Sequence, residues 1–190
     1  RYYGSLRGDR WRGGPSAPGA PVVGIASSRD GKGYLLLAGD GSVYAFGDAS
    51  YHGSRGPYHV NGIPVGIVVD DKTGGYWIAT DRGSVYNFDA PFYGSKTSGH
   101  AAPIVGIAAL HDGAGYWLAT ESGYVFGFGA ARSLGSDPGQ DITGIAAPAQ
   151  GDGYYLVSAS GRVFRHGNIP YSGSLASPVS TDPVIGIATP

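Results

Sequence analysis

The sequence predicts an all-β protein of short antiparallel strands, and three observations carry that prediction. One phrase recurs along the chain: "PVVGIA" from Pro21, "IPVGIV" from Ile63, "PIVGIA" from Pro103, "DITGIA" from Asp141 and "PVIGIA" from Pro183. Its glycines, Gly24, Gly66, Gly106, Gly144 and Gly186, are spaced by 42, 40, 38 and 42 residues. The runs between are rich in Val, Ile, Tyr, Trp and Phe and are bounded by Gly, Asp, Ser or Pro, as strands are. No stretch of useful length carries a helical apolar period.

Each unit reads as four strands. Strand A is the recurring phrase, residues 22–26 in the first unit. Strand B, residues 34–38, belongs to a second phrase that appears as "GYLLLAGDGSVYAFGDA", "GYWIATDRGSVYNFDA", "GYWLATESGYVFGFGA" and "GYYLVSASGRVFRHGN". "SRDGKG", "DDKTGG", "HDGAG" and "AQGDG" separate A from B and are turn compositions. Strand C, residues 43–46, follows "GDGS", "DRGS", "ESG" or "SG", where glycine supplies the positive φ of a tight hairpin. Strand D is expected near Tyr51, in a third phrase, "YHGS", "FYGS", "SLGS" and "YSGS", which also opens the chain as "YYGS" at Tyr2.

Four antiparallel strands in about 40 residues is the arithmetic of a β-propeller blade. A blade buries its faces only against its neighbours, so Tyr76, Trp77, Tyr116 and Trp117 recur as packing wedges. The expected repeats are residues 21–62, 63–102, 103–140 and 141–182, with a partial repeat split between 1–20 and 183–190, all in one propeller domain or fragment. That partial repeat has a D phrase at one terminus and an A phrase at the other, without B or C. Three readings stand: a piece of a longer propeller, a small ring of the full units, or spare strands that pair with another chain. With Arg1 first and no methionine, the sequence reads as a processed or excised piece.

Strands B to C, "AGDGSVYAFGDA" from Ala38, resemble the repeat of quinoprotein-type propellers. The whole unit is similar to the tandem "GYWLVASDGGVFAFGDAxFYGS" repeats of secreted bacterial proteins, which are often attached to cell-wall or surface domains. The resemblance covers nearly the whole chain outside residues 6–20 and implies an extracellular or cell-surface propeller. The third unit departs from it by lacking the Asp-Gly, and the fourth by placing His166 where the others have Phe46, Phe88 and Phe128.

The 190 residues carry a formal net charge of -1, and only 14% are charged, well below the usual quarter or so. That balance argues against nucleic acid, and no apolar run reaches membrane-spanning length. With no cysteine, disulfides and thiolate chemistry are excluded. There is no nucleophile elbow, P-loop, H-E-x-x-H or EF-hand spacing. The five histidines, His52, His59, His100, His111 and His166, have no paired ligand spacing. Asp30, Asp71, Asp112 and Asp152 recur at the A–B turn and read as Asx turns rather than a metal site. No catalytic residue, metal or cofactor is therefore expected.

The segment around Trp11 gathers Arg7, Arg10 and Arg12 into a candidate contact arm, and its "RGD" tripeptide is too short to carry weight. The functional expectation is a non-catalytic binding or scaffold module for a cell-surface or cell-wall glycan or protein. Trp11, Tyr51, Tyr93 and Tyr171 are its candidate ligand contacts, because sugars stack on exposed aromatics. One alternative is a self-assembling subunit joined into a homo-oligomer through Tyr2, Tyr3, Val184, Ile185 and Ile187. The other is a propeller hydrolase or lyase, which rests on fold analogy.

Overall fold

The turn clusters and β-prone runs resolve into twelve strands in the computed structural model, which describes residues 12–13, 19–56, 60–150, 152–175 and 182–189. No helix occurs among the described residues. The chain divides into two compact units, Arg1–Phe92 and Tyr93–Pro190. Each holds two three-stranded antiparallel sheets with strands in sequence order. Trp11, Tyr2 and Tyr3 lie outside the described residues.

In the first unit, sheet 1 comprises β1 (Val22–Ser27), β2 (Gly33–Ala38) and β3 (Val43–Gly47). Sheet 2 comprises β4 (Pro64–Val69), β5 (Tyr76–Thr80) and β6 (Val85–Phe88). In the second unit, sheet 3 comprises β7 (Ile104–Ala109), β8 (Gly115–Thr120) and β9 (Val125–Gly129). Sheet 4 comprises β10 (Ile142–Ala146), β11 (Asp152–Ser158) and β12 (Val163–Asn168). Strands A, B and C of every repeat thus form as the sequence predicts.

The central strands are largely apolar and largely buried in each sheet. Every residue of β5 and of β8 is buried. Leu35, Leu37, Val43, Ile67, Tyr76 and Ile78 form the main core of the first unit. Trp117, Val125, Ile142, Ile145, Tyr154 and Leu156 form that of the second.

The B–C hairpins are alike in all four sheets. Gly41, Gly83, Gly123 and Gly161 each have a positive φ and donate to the carbonyl three residues back, at Ala38, Thr80, Thr120 and Ser158. The second, third and fourth repeats keep this turn without Asp-Gly, because only the glycine is conformationally obligatory. Strand A is irregular at one place in every sheet. Its ladder is interrupted between Val22 and Gly24, Pro64 and Gly66, Ile104 and Gly106, and Ile142 and Gly144.

The third phrase differs from the expectation of a strand D. Residues 51–56, 91–97, 131–137 and 171–175 form no strand. Gly53, Gly94, Gly135 and Gly173 have φ of 124°, 138°, 137° and 111°, which breaks the extended conformation a ladder needs. These segments run on from strand C as straps. One antiparallel bridge, Arg12 with Ala45, stands on the outer edge of β3.

Candidate functional site

The straps are held by the aromatic pair of strand B. Tyr76 Oη donates to the Gly53 carbonyl at 2.5 Å, within the first unit. In the second unit Tyr116 Oη donates to Gly94 at 2.6 Å and Tyr154 Oη to Gly135 at 2.5 Å. Each tyrosine therefore grips the strap of the preceding repeat. Its neighbour in sequence grips the strap that leaves its own sheet. Trp77 Nε1 donates to Pro91 O and Trp117 Nε1 to Arg132 O, both at 2.7 Å, and Tyr155 Oη donates to Pro170 O.

This clasp explains why "GYW" recurs. The wedge is apolar, and its polar tip closes a backbone carbonyl that no ladder satisfies. Burial, only partly offset by the amide of Tyr93 and the strap contact at Gly94, pushes the Tyr116 hydroxyl up to about 12. Burial likewise raises Tyr154 to about 12 and Tyr76 further still.

Beside the clasp, the first three strap glycines lie on a ring near the end of the next strand C. A Cβ on Gly53 would stand 3.1 Å from Phe88 Cδ1, and one on Gly94 would stand 2.8 Å from Phe128 Cδ1. On Gly135 the atom met is His166 Nδ1, at 2.6 Å. Those rings lie tilted against Tyr76, Tyr116 and Tyr154 at centroid distances of 5.3, 5.6 and 5.2 Å.

The histidine brings a change of charge with it. After "GS" the first two straps carry Arg55 and Lys96, whose cations lie 4.4 Å over Tyr86 and 4.8 Å over Phe126. The third carries Asp137, whose Oδ2 is 2.6 Å from His166 Nε2.

The first residue of the third phrase faces outward. Tyr51 and Tyr171 are 37% and 51% exposed, and their hydroxyls meet Ser54 Oγ at 3.2 Å and Ser174 Oγ at 3.1 Å. Phe92 holds the same register in the second strap and is 56% exposed. Tyr93, one residue further along, is half-buried. Its hydroxyl donates to Gly113 O at 2.8 Å, and its ring lies 5.8 Å from that of Tyr116. The phrases "YHGS" and "FYGS" already set Phe92, and not the expected contact Tyr93, in the register of Tyr51, although "NFDAPF" is one residue shorter than "AFGDASY" at the end of strand C. The shortening is legible once Ala49 and Ala90, both buried, are aligned.

In the first unit a cleft of about 250 Å³ is lined by Ser28, Asp30, Leu35, Asp48, Val69 and Ser50, the residue that precedes Tyr51, among others. Its lining is mostly apolar, and Ser28, Asp30, Asp48 and Ser50 supply polar groups. Ser28 Oγ lies 3.3 Å from Asp30 Oδ1 and donates to Asp48 Oδ1 at 2.9 Å. The Lys32 ammonium, 2.6 Å from Asp30 Oδ2, and the Lys32 amide hold the Asp30 carboxyl well below the usual range.

The A–B turn carboxylates are engaged locally. Asp30 Oδ1 accepts from Lys32 N, and Asp112 Oδ1 from Ala114 N, both as Asx turns. In the second repeat the turn is made by buried Asp70, which accepts from Lys72 N and Thr73 Oγ1. Asp152 instead pairs in the ladder with Asn168. Among the described residues no three His, Asp or Glu side chains stand close enough to hold a metal ion.

Of the terminal-phrase residues, Val184 N donates to Ala159 O at 2.9 Å, Ile187 is half-buried, and Ile185 is 85% exposed. No protein-family model matches this chain, and no curated protein matches it in sequence.

Proposed function

We propose that this chain is a non-catalytic binding module, presented outside the cell, that takes up glycan on its straps. In this reading the four sheets are blades of a propeller-type repeat, and the Arg12–Ala45 bridge lies on the edge of sheet 1 that a fourth strand would use. The observation that carries the function is the outward ring at one strap register, Tyr51, Phe92 and Tyr171, over a backbone locked from beneath. A sugar ring stacks its apolar face on such a side chain. In the first unit Asp30 and Asp48, which line the cleft beginning at Ser50, are the acceptors for sugar hydroxyls. Weak contacts repeated on one chain add up through effective concentration.

The hydrolase reading is disfavoured by the same carboxylates. A glycosidase needs one carboxyl that keeps its proton near neutral pH, and Lys32 drives Asp30 the other way. The test is a glycan array with a cell-wall pulldown, run on the native chain and on the triple variant Tyr51→Ala, Phe92→Ala, Tyr171→Ala. Loss of binding with an unchanged melting temperature supports the proposal. A blank array for the native chain, or equal binding by the variant, overturns it.

A further inference from the structure

Strand A carries a Gly-Ile pair whose two members face opposite ways, as neighbours in a strand do. Within each unit the glycine of the first sheet faces the second sheet, and the isoleucine of the second sheet faces the first. In the first unit a Cβ on Gly24 would stand 3.3 Å from Ile67 Cγ2. In the second, one on Gly106 would stand 3.1 Å from Ile145 Cγ2. The fit is a methyl knob in a glycine socket, and it leaves Ile67 and Ile145 only 5% and 8% exposed.

The terminal phrase, residues 183–188, repeats the first half of this joint. Val184 N donates to Ala159 O at 2.9 Å, just as Ile142 N donates to Glu121 O at 2.8 Å one repeat earlier. A Cβ on Gly144 would meet Gly186 Cα at 3.3 Å and Ile187 N at 3.4 Å. The phrase thus lies on sheet 4 along the course of a strand A. Its own glycine, Gly186, is exposed, and a Cβ there would meet nothing within 4 Å among the described residues. On β1 the complementary member stands uncovered: Ile25 is 67% exposed, flanked by Val22 at 45% and Val23 at 42%.

We propose that these are the two halves of one intermolecular joint. The Gly186 socket of one copy receives Ile25 of a second copy, so that copies associate head to tail. What covers Ile67 and Ile145 names the occupant, a phrase with Val or Ile two residues before Gly-Ile, and "PVIGIA" supplies it. The two contacting patches differ, so the contact is heterologous and leaves a free half-joint at each end of a dimer. This inference is independent of glycan binding.

The chain has no cysteine, which permits a direct test. Chains carrying Ile25→Cys alone and Gly186→Cys alone are mixed and mildly oxidised. A disulfide-linked pair at twice the chain mass is expected, in excess of what either variant forms by itself. Sedimentation of the native chain should show mass rising with concentration. Ile25→Ser, Gly186→Val and deletion of residues 183–190 should each weaken association about tenfold or more, on the scale of one buried isoleucine. Tyr124→Ser, which removes an exposed ring elsewhere, should leave it unchanged. The proposal is overturned by a native chain that stays monomeric at every concentration. It is equally overturned by a doubly substituted chain, Ile25→Cys with Gly186→Cys, that crosslinks only at monomer mass.

Discussion

Tyr116 shows how much one hydroxyl carries in this protein. It closes the Gly94 carbonyl at 2.6 Å from a fully buried ring. Tyr116→Phe leaves the ring packing in place and the carbonyl without that donor, so the expected loss is about 1–2 kcal/mol, read by urea unfolding. The same burial makes stability depend on pH at the alkaline end. In the unfolded chain a tyrosine ionises near its ordinary value of about 10. In the folded chain Tyr116 and Tyr154 hold their protons to about 12. Below about pH 10 both states are neutral and the contribution is intact; as pH rises from about 10 to about 12, the unfolded state loses protons first and stability falls. Urea midpoints should decline across that window, and a Tyr116→Phe, Tyr154→Phe variant should decline less. The outward rings at Tyr51 and Tyr171 were legible in the sequence, since a β-prone aromatic beside Gly-Ser marks a surface phrase. The clasp was not, because its acceptor carbonyl lies 22 residues from the donor and belongs to another repeat.

Among the elements, the strap is where sequence reading and structure part. "YHGS" and "FYGS" have the composition of a strand, and only the backbone angle of the glycine shows that they are not one. Gly94→Ala combines a φ of 138° with a methyl 2.8 Å from Phe128, whereas Gly173→Ala at φ 111° meets nothing within 4 Å among the described residues. The first should cost about 2–4 kcal/mol and the second only the backbone share, about 1 kcal/mol, as thermal melts of the pair would show. The end of strand C offers the converse case. Gly47, Gly129 and Gly167 take φ of 65°, 67° and 87° there, and in the second repeat Asp89 takes φ 50°. Its carboxylate lies 3.3 Å from His52 Nδ1 at an exposed position, a contact of little net weight. Asp89→Gly relieves the left-handed strain and should raise stability by up to about 1 kcal/mol, which a urea midpoint detects.

At the scale of the molecule, the repeat itself was the most legible feature. Strands A, B and C recur because each sheet needs the same central wedge and the same hairpin glycine, and both requirements are written in a few residues. The two compact units and the three-stranded sheets were not legible, since composition does not say which β-prone phrase finds a ladder partner. The interruption of strand A, repeated in every sheet, has a consequence for the chain's behaviour in crowded solution. Strand A is an outer strand of its sheet, and a straight run of free amide and carbonyl groups there is a template for cross-β growth. One residue standing out of step between Val22 and Gly24, and likewise in the other three sheets, breaks the even spacing that a foreign strand needs. Deleting Val23 restores that spacing on sheet 1. The shortened chain should form dye-binding fibrils at concentrations where the native chain stays clear, so the irregularity acts as a built-in solubility device.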